Sequence, residues 1–171
     1  MKKMLVLAGC VGVALAGCAS AATHPTSYGV AMTSNLAQGQ YMALHIEGTP
    51  ACFGEISANK PVKCEPVSSL PRMAKVVWGP PSSWESPRGS ERNLPAGWKV
   101  PTSSYQQVFL TAGRLHPPRW FKSGDMMVFT ITRMHRLSVT YQCHRPGHEC
   151  ISYTPVTVYG EPQGVASVAT Q

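Results

Sequence analysis

The chain is dominated by short segments in which every second residue is apolar. From residue 40 to 47, for example, Met42, Leu44 and Ile46 alternate with more polar neighbours. Because successive side chains of a β-strand point to opposite faces, this period of two predicts strands with one face in a core. The segments that carry it are 40–47, 73–78, 106–111, 128–132, 137–141 and 151–158. Residues 133–136 interrupt it with a turn or a bulge, and Pro155 predicts an edge position or a bulge for the last strand.

No segment shows the 3.6-residue period of an amphipathic helix, and the chain contains 15 Pro and 15 Gly. Both observations favour short strands joined by turns. The predicted fold class is all-β, namely a small disulfide-braced sandwich or a partly open barrel of about six to eight strands.

Four cysteines of the predicted domain, Cys52, Cys64, Cys143 and Cys150, suit two disulfides in an oxidising compartment. Three connectivities are possible in principle, and local pairing is favoured. Pro146-Gly147 lies midway between Cys143 and Cys150, so a turn there would place the two cysteines opposite each other. Cys52 and Cys64 would close a second, wider hairpin.

The first residues have the layout of an export signal. Lys2 and Lys3 precede an apolar run of about a dozen residues, too short for the roughly 20 that span a bilayer. The run closes with Leu15-Ala16-Gly17-Cys18 and resembles the signal of bacterial lipoproteins. The resemblance covers about a tenth of the chain and implies that residues 1–17 are removed and that Cys18 is lipidated (a palmitate-type acyl anchor). An uncleaved anchor or a plain secretory signal is the alternative.

The resemblance also implies a location. Ala19, rather than Asp, follows Cys18, which in such lipoproteins usually accompanies transport to the outer membrane. We expect a lipid anchor on the periplasmic face of that membrane, with surface display as the alternative. The predicted organisation is a lipidated cysteine and flexible tether at 18–38, a single β domain at 39–160 and a flexible tail at 161–171.

The net charge of the chain excludes few classes of binding partner. The chain has 15 Lys+Arg and 8 Asp+Glu; without Lys2 and Lys3 the net charge is +5. There is no Lys/Arg-rich block, so nucleic acid is not an expected partner. The basic residues and histidines between 114 and 148 predict either a soluble basic face or a docking surface for an anionic partner.

The longest irregular segment, residues 79–101, contains two tryptophans among basic side chains. Either both tryptophans fold back over the core, or the segment binds a partner, since exposed aromatic and arginine side chains are frequent hot spots. The second alternative, extended to the 133–136 segment, gives these candidate partner-binding residues: Trp84, Arg88, Arg92, Trp98, Lys99, Arg133 and Arg136.

Candidate chemistry is sparse. Cys143, His144, His148 and Cys150 have the ligand types for zinc or copper. Four ligands in so short a loop would strain to form a tetrahedron, however, and the oxidising envelope favours a disulfide. Asp125, the only Asp, lies in a Ser-Gly-Asp turn where it is expected to bond backbone. No phosphate loop, dinucleotide motif or nucleophile elbow appears. We therefore expect no catalytic site, no metal and no cofactor.

These features predict a non-enzymatic lipoprotein that binds an envelope protein, as a scaffold subunit of a secretion, conjugation or surface assembly. A small-ligand or hydrolase-inhibitor module is the alternative, and a metal-binding or hydrolytic protein is a third possibility.

Overall fold

The structure is a computed structural model of the 171-residue chain. It describes residues 26–89, 93–102 and 104–144, together with the backbone of 156–160 and 163–164. Within these ranges no helix is both long and apolar enough to cross a membrane.

Twelve strands form nearly all of the regular structure. They are β1 (Tyr28–Ser34), β2 (Gln40–Ile46), β3 (Cys52–Ile56), β4 (Val62–Val67), β5 (Met73–Gly79), β6 (Trp84–Glu85), β7 (Val100–Pro101), β8 (Gln106–Thr111), β9 (Met126–Ile131), β10 (Leu137–Gln142), β11 (Val156–Gly160) and β12 (Gln163–Gly164). A 3-10 turn covers Pro81–Ser83.

Two five-stranded sheets pack as a sandwich, and neither closes into a barrel. Sheet 1 has the order β11-β10-β9-β1-β4, and sheet 2 has the order β12-β8-β5-β2-β3; β6 and β7 form a separate ribbon. The all-β prediction and the sandwich alternative are confirmed, with more strands than expected because very short pairings such as β6–β7 and β12 leave no periodic signal.

The inward-facing positions of both sheets form the main core. Met42 and Leu44 of β2 face Phe129 and Ile131 of β9, and all four are at most 1% exposed. These residues are the ones that the period of two places on a single face, so the alternation in the sequence is explained by one buried and one outer face per strand.

The N-terminal boundary of the domain corrects the sequence prediction. Residues 28–34, assigned to the tether, form β1 in the interior of sheet 1, parallel to β9 and antiparallel to β4. Val30 and Met32 point into the core. Small neighbours such as Gly29 and Ala31 weaken the apolar signal, but they suit a strand flanked on both sides. The C-terminal tail is corrected as well, because Gln163–Gly164 pairs with β8.

The Cys52–Cys64 disulfide forms as predicted, but it does not close a hairpin. Cys52 lies on β3 of sheet 2 and Cys64 on β4 of sheet 1, so the bond joins the two sheets at their adjacent edges. Gly54 makes this approach possible, since a Cβ on it would lie 2.7 Å from Cγ2 of Val62. The disulfide therefore holds the two edges together, and the absence of a side chain at Gly54 lets them approach this closely.

The strand directions give the sandwich two distinct ends. At the N-terminal end β1 and β9 begin and β10 finishes, so it carries residues 26–27, 47–51, 68–72, 112–125 and 143–144. We call the opposite end the far end; it carries 35–39, 57–61, 80–83, 102–105 (Ser103 excepted) and 132–136.

The interruption at 133–136 is a turn, in which the amide of Thr132 donates to the carbonyl of Arg136. β11, the strand after Pro155, lies at an edge of sheet 1.

Candidate functional site

The described residues of the irregular segment, 80–89 and 93–101, lie on the outer face of sheet 2, and we call them the tryptophan strap. Its two ends are held together by the β6–β7 ribbon and by the amide of Thr102, which donates to the carbonyl of Ser83 at 2.8 Å. Pro95 and Gly97 bring the chain back to the sheet: Gly97 has φ +80°, and the amide of Trp98 donates to the carbonyl of Pro95. This is the geometry of a type II turn, which favours glycine at its third position.

Both strap tryptophans are buried. Trp84 is 5% exposed and Trp98 is 7% exposed. The ring of Phe53 on β3 lies 5.4 Å from that of Trp84 and 5.0 Å from that of Trp98, and Tyr41 on β2 stacks on Phe53 at 5.5 Å. With Ala43 and Val77 the tryptophans form a second apolar cluster, separate from the main core.

This burial decides between the two alternatives for the tryptophans. They fold back onto the sheet, so in this arrangement neither Trp84 nor Trp98 can contact a partner directly, and the prediction that they are partner-binding residues is corrected. The physical reason is that the outer face of sheet 2 is itself aromatic, and two indole rings cover it from water. The tryptophans shape the strap, and its exposed residues, among them Glu85, Arg88, Pro95 and Ala96, remain available to a partner.

The charged residues of the strap are engaged to different degrees. Arg88 pairs with Glu85 at 2.9 Å, and its side chain is 83% exposed. The Nζ atom of Lys99 lies 4.6 Å from the centre of the Tyr41 ring and 3.4 Å from its hydroxyl. Arg92 lies outside the described residues. Exposed ion pairs contribute little to stability, so Arg88 is free to exchange Glu85 for another anion.

The basic residues between 114 and 144 do not form one face. Arg114, His116, Arg119, Lys122 and His144 lie at the N-terminal end, whereas Arg133, His135 and Arg136 lie at the far end, in the β9–β10 turn. A six-residue strand separates the two groups, which is about 20 Å. These residues therefore form two separate groups rather than one continuous basic face, and each end can act on its own.

At the N-terminal end, the side chains of Asp125 and Cys143 form bonds that stabilise the fold. Asp125 is fully buried, and its two carboxylate oxygens accept hydrogen bonds from the amides of Lys122 at 2.9 Å and His144 at 3.1 Å. The expectation that this carboxylate bonds backbone is met. Cys143 is disulfide-bonded, and its predicted partner Cys150 lies outside the described residues, as does His148. Across the described ranges no three His, Cys, Asp or Glu side chains are grouped as metal ligands would be.

Two ionisable groups have shifted pKa values, and both shifts follow from packing. Burial raises the pKa of the Tyr141 hydroxyl to about 12. His45, whose ring lies 5.7 Å from that of Trp98, has a lowered pKa because of partial burial and, secondarily, the charge of Lys75.

The far end carries two clefts on either side of the β9–β10 turn. Arg133 lines one of about 630 Å³ together with Asn35, Leu36 and residues 57–59. His135 lines the other, of about 280 Å³, between the turn and the base of the strap. Met134, between them in sequence, is 70% exposed and is the most exposed large apolar side chain in the described part of the chain.

Sequence reasoning missed the polar residues of the smaller cleft, Gln40 and Gln106. Gln40 is in phase with Met42 and Leu44, and Gln106 is in phase with Val108 and Leu110, so both occupy inward-facing positions. A glutamine at the first inward position of an otherwise apolar strand is the signal that could have found them.

No protein-family model matches the chain, and no curated protein is significantly similar to it in sequence. The geometry of the strap and of the far end therefore carries the functional argument.

Proposed function

We propose that this protein is a lipid-anchored lipoprotein of the outer membrane that serves as a non-enzymatic binding subunit of an envelope assembly, docking a partner protein through its far end. The observation that carries the proposal is the direction of β1. The chain enters the domain at Tyr28, and β1 runs from the N-terminal end to the far end.

An anchor at Cys18 would keep the N-terminal end near the membrane. Nine residues separate Cys18 from Tyr28, and a fully extended chain of that length reaches about 30 Å. The tether is thus shorter than the sequence suggested, and the domain would stay within that distance of the lipid. Arg72, Arg114, Arg119 and Lys122 at this end suit contact with anionic head groups, which attract basic residues close to a membrane.

The far end then faces away from the membrane and is the natural place for a partner. It presents an exposed methionine, two arginines and two clefts within one short stretch of surface. Met and Arg are enriched in protein interfaces, the first because it adapts its shape and the second because it combines charge with a flat, weakly hydrated group. Arg133 and Arg136 therefore remain candidate partner-binding residues.

A photo-crosslinking amino acid at Met134 tests the proposal in cells. We expect it to capture one envelope protein from the anchored chain and much less from a Cys18→Ala chain. The matched control is the same amino acid at Ala112, which is exposed at the N-terminal end. Equal capture from both positions, or capture of abundant bystanders alone, would contradict docking through the far end and would favour the alternative, a module for small ligands.

A further inference from the structure

The smaller cleft at the far end combines features that do not occur together elsewhere in the described structure. It lies between the base of the strap and the β9–β10 turn. Its polar lining is Gln38, Gln40, Trp78, Ser104, Gln106 and His135. The strand residues among them, Gln40, Trp78 and Gln106, belong to sheet 2, and His135 belongs to the turn between two strands of sheet 1. The cleft therefore lies between sheet 2 and the β9–β10 turn at the far end of the sandwich.

Two buried atoms of the lining have no hydrogen-bond partner among the described residues. They are the indole Nε1 of Trp78, a donor, and the side-chain Oε1 of Gln106, an acceptor. The two residues are register partners on β5 and β8. A buried polar group without a partner is costly, and native structures contain few of them. Because both residues line one cleft, their buried donor and acceptor are the groups that a ligand entering the cleft could pair.

The backbone around the cleft is also unusual. Ser104 has φ +51° and His135 has φ +56°, and they are the two non-glycine residues with positive φ in the described ranges. Both line this cleft. A left-handed conformation is unfavourable for residues with a Cβ, and such positions concentrate at ligand sites.

Charge at the far end favours an anionic ligand. The far-end segments 35–39, 57–61, 102–105 and 132–136 contain no Asp or Glu, and they carry Lys60, Arg133 and Arg136. Arg133 lines the larger cleft, and the Oε1 atom of Glu55 on β3 lies 3.0 Å from the Cβ position of Gly39, so the positive charge is concentrated on the loops rather than in the smaller cleft itself. Complementary charge mainly favours encounter and selectivity, and the cleft below it supplies the fixed contacts.

From these observations we infer that the cleft binds the main chain of an extended acidic peptide segment presented by a partner protein. The N–H and the carbonyl of one extended residue point to the same side, so the carbonyl accepts a hydrogen bond from Nε1 of Trp78 while the N–H donates to Oε1 of Gln106. Acidic side chains on either side of that residue pair with Arg133 and Arg136. The inference rests on the proposed function, since it names the chemistry by which the far end takes its partner.

The test uses the purified full chain in detergent micelles and three probes: a synthetic library of short peptides rich in Asp and Glu, the same library with Lys in their place, and an N-acetylated disaccharide. The disaccharide is included because its acetamido group also carries an amide donor and an amide acceptor. Binding is followed by fluorescence anisotropy and by the indole N–H signal of Trp78 in ¹⁵N-labelled protein. We expect the acidic peptides to shift that signal and the Lys peptides to leave it in place.

Substitution of Gln106 separates a binding role from a structural one. Gln106→Met keeps the approximate volume and removes the acceptor, so we expect acidic peptides to bind about tenfold more weakly. The unfolding midpoint should stay the same or rise, because the variant no longer buries an unpaired oxygen. Gln107→Met is the matched control: it is the next residue on β8, on the outer face of sheet 2, and should change neither quantity.

Three results would overturn the inference: no shift of the Trp78 signal with any peptide, equal weakening in the Gln106 and Gln107 variants, or a shift caused by the disaccharide and not by peptides. Crosslinking from Met134 that persists unchanged in the Gln106→Met chain would reject the cleft while leaving docking through the far end intact.

Discussion

Replacing Trp98 by Ala should release the tryptophan strap and leave the sandwich folded. An aromatic side chain buries about 200 Å², which at ~25 cal/mol per Å² gives about 5 kcal/mol. Compactness of the unfolded chain reduces this to about 3–4 kcal/mol, and the lost ring contacts with Phe53 and His45 keep the value near that range. Because the cluster under the strap is separate from the main core, the loss falls on docking of the strap.

The assay is limited trypsin digestion at Arg88 and Lys99, both in the strap. When opening is fast compared with cleavage, the cleavage rate follows the open population. A loss of about 3 kcal/mol then predicts roughly 100-fold faster cutting in Trp98→Ala, with little change in the far-UV signal of the sheets. Trp98→Phe should lie between the wild type and the alanine variant.

Trp78→Ala provides the contrast. Trp78 belongs to the main core and is 1% exposed, so its replacement should lower the cooperative unfolding midpoint of the whole domain. If Trp98→Ala instead unfolded the entire domain, or left the cleavage rate unchanged, the separation of the two apolar clusters would be refuted.

Three further predictions concern stability. Gly54→Ala should lower the free energy of unfolding in urea by about 1–3 kcal/mol, because the new Cβ would clash with Val62. An unchanged midpoint would show that β3 and β4 can move apart without loss of stability. Removal of the Cys52–Cys64 bond, which closes a separation of 12 residues, should lower the free energy of unfolding by about 3 kcal/mol. Any further loss that reductant causes in this variant should come from the bond of Cys143. Tyr141 should resist ionisation until about pH 12, which a spectrophotometric titration measures. Since a tyrosine in the unfolded chain ionises near pH 10, the free energy of unfolding should fall as pH rises from about 10 to 12. Tyr141→Phe should abolish that part of the fall.

Much of the fold followed from local pattern. The alternation at 40–47, 73–78 and 106–111 located β2, β5 and β8 nearly to the residue, because each has one apolar face and ends at turn residues. β1 was missed because Gly29, Ala31 and Ser34 weaken the apolar signal of Val30 and Met32, and because its central position depends on pairing with β9 and β4, which are distant in sequence.

The sequence by itself determined which local features are present. These are aromatic and basic side chains in an irregular segment, an interruption at 133–136, and cysteines close enough in sequence to pair locally. Only the tertiary structure decided which of them face solvent, because that depends on the partner of each sheet face. The aromatic outer face of sheet 2 takes Trp84 and Trp98 out of reach of a partner, and strand direction sends the basic residues to opposite ends. The far-end cleft exists only where β2, β5, β8 and the β9–β10 turn meet, and residues so far apart in sequence leave no local signal of their contact.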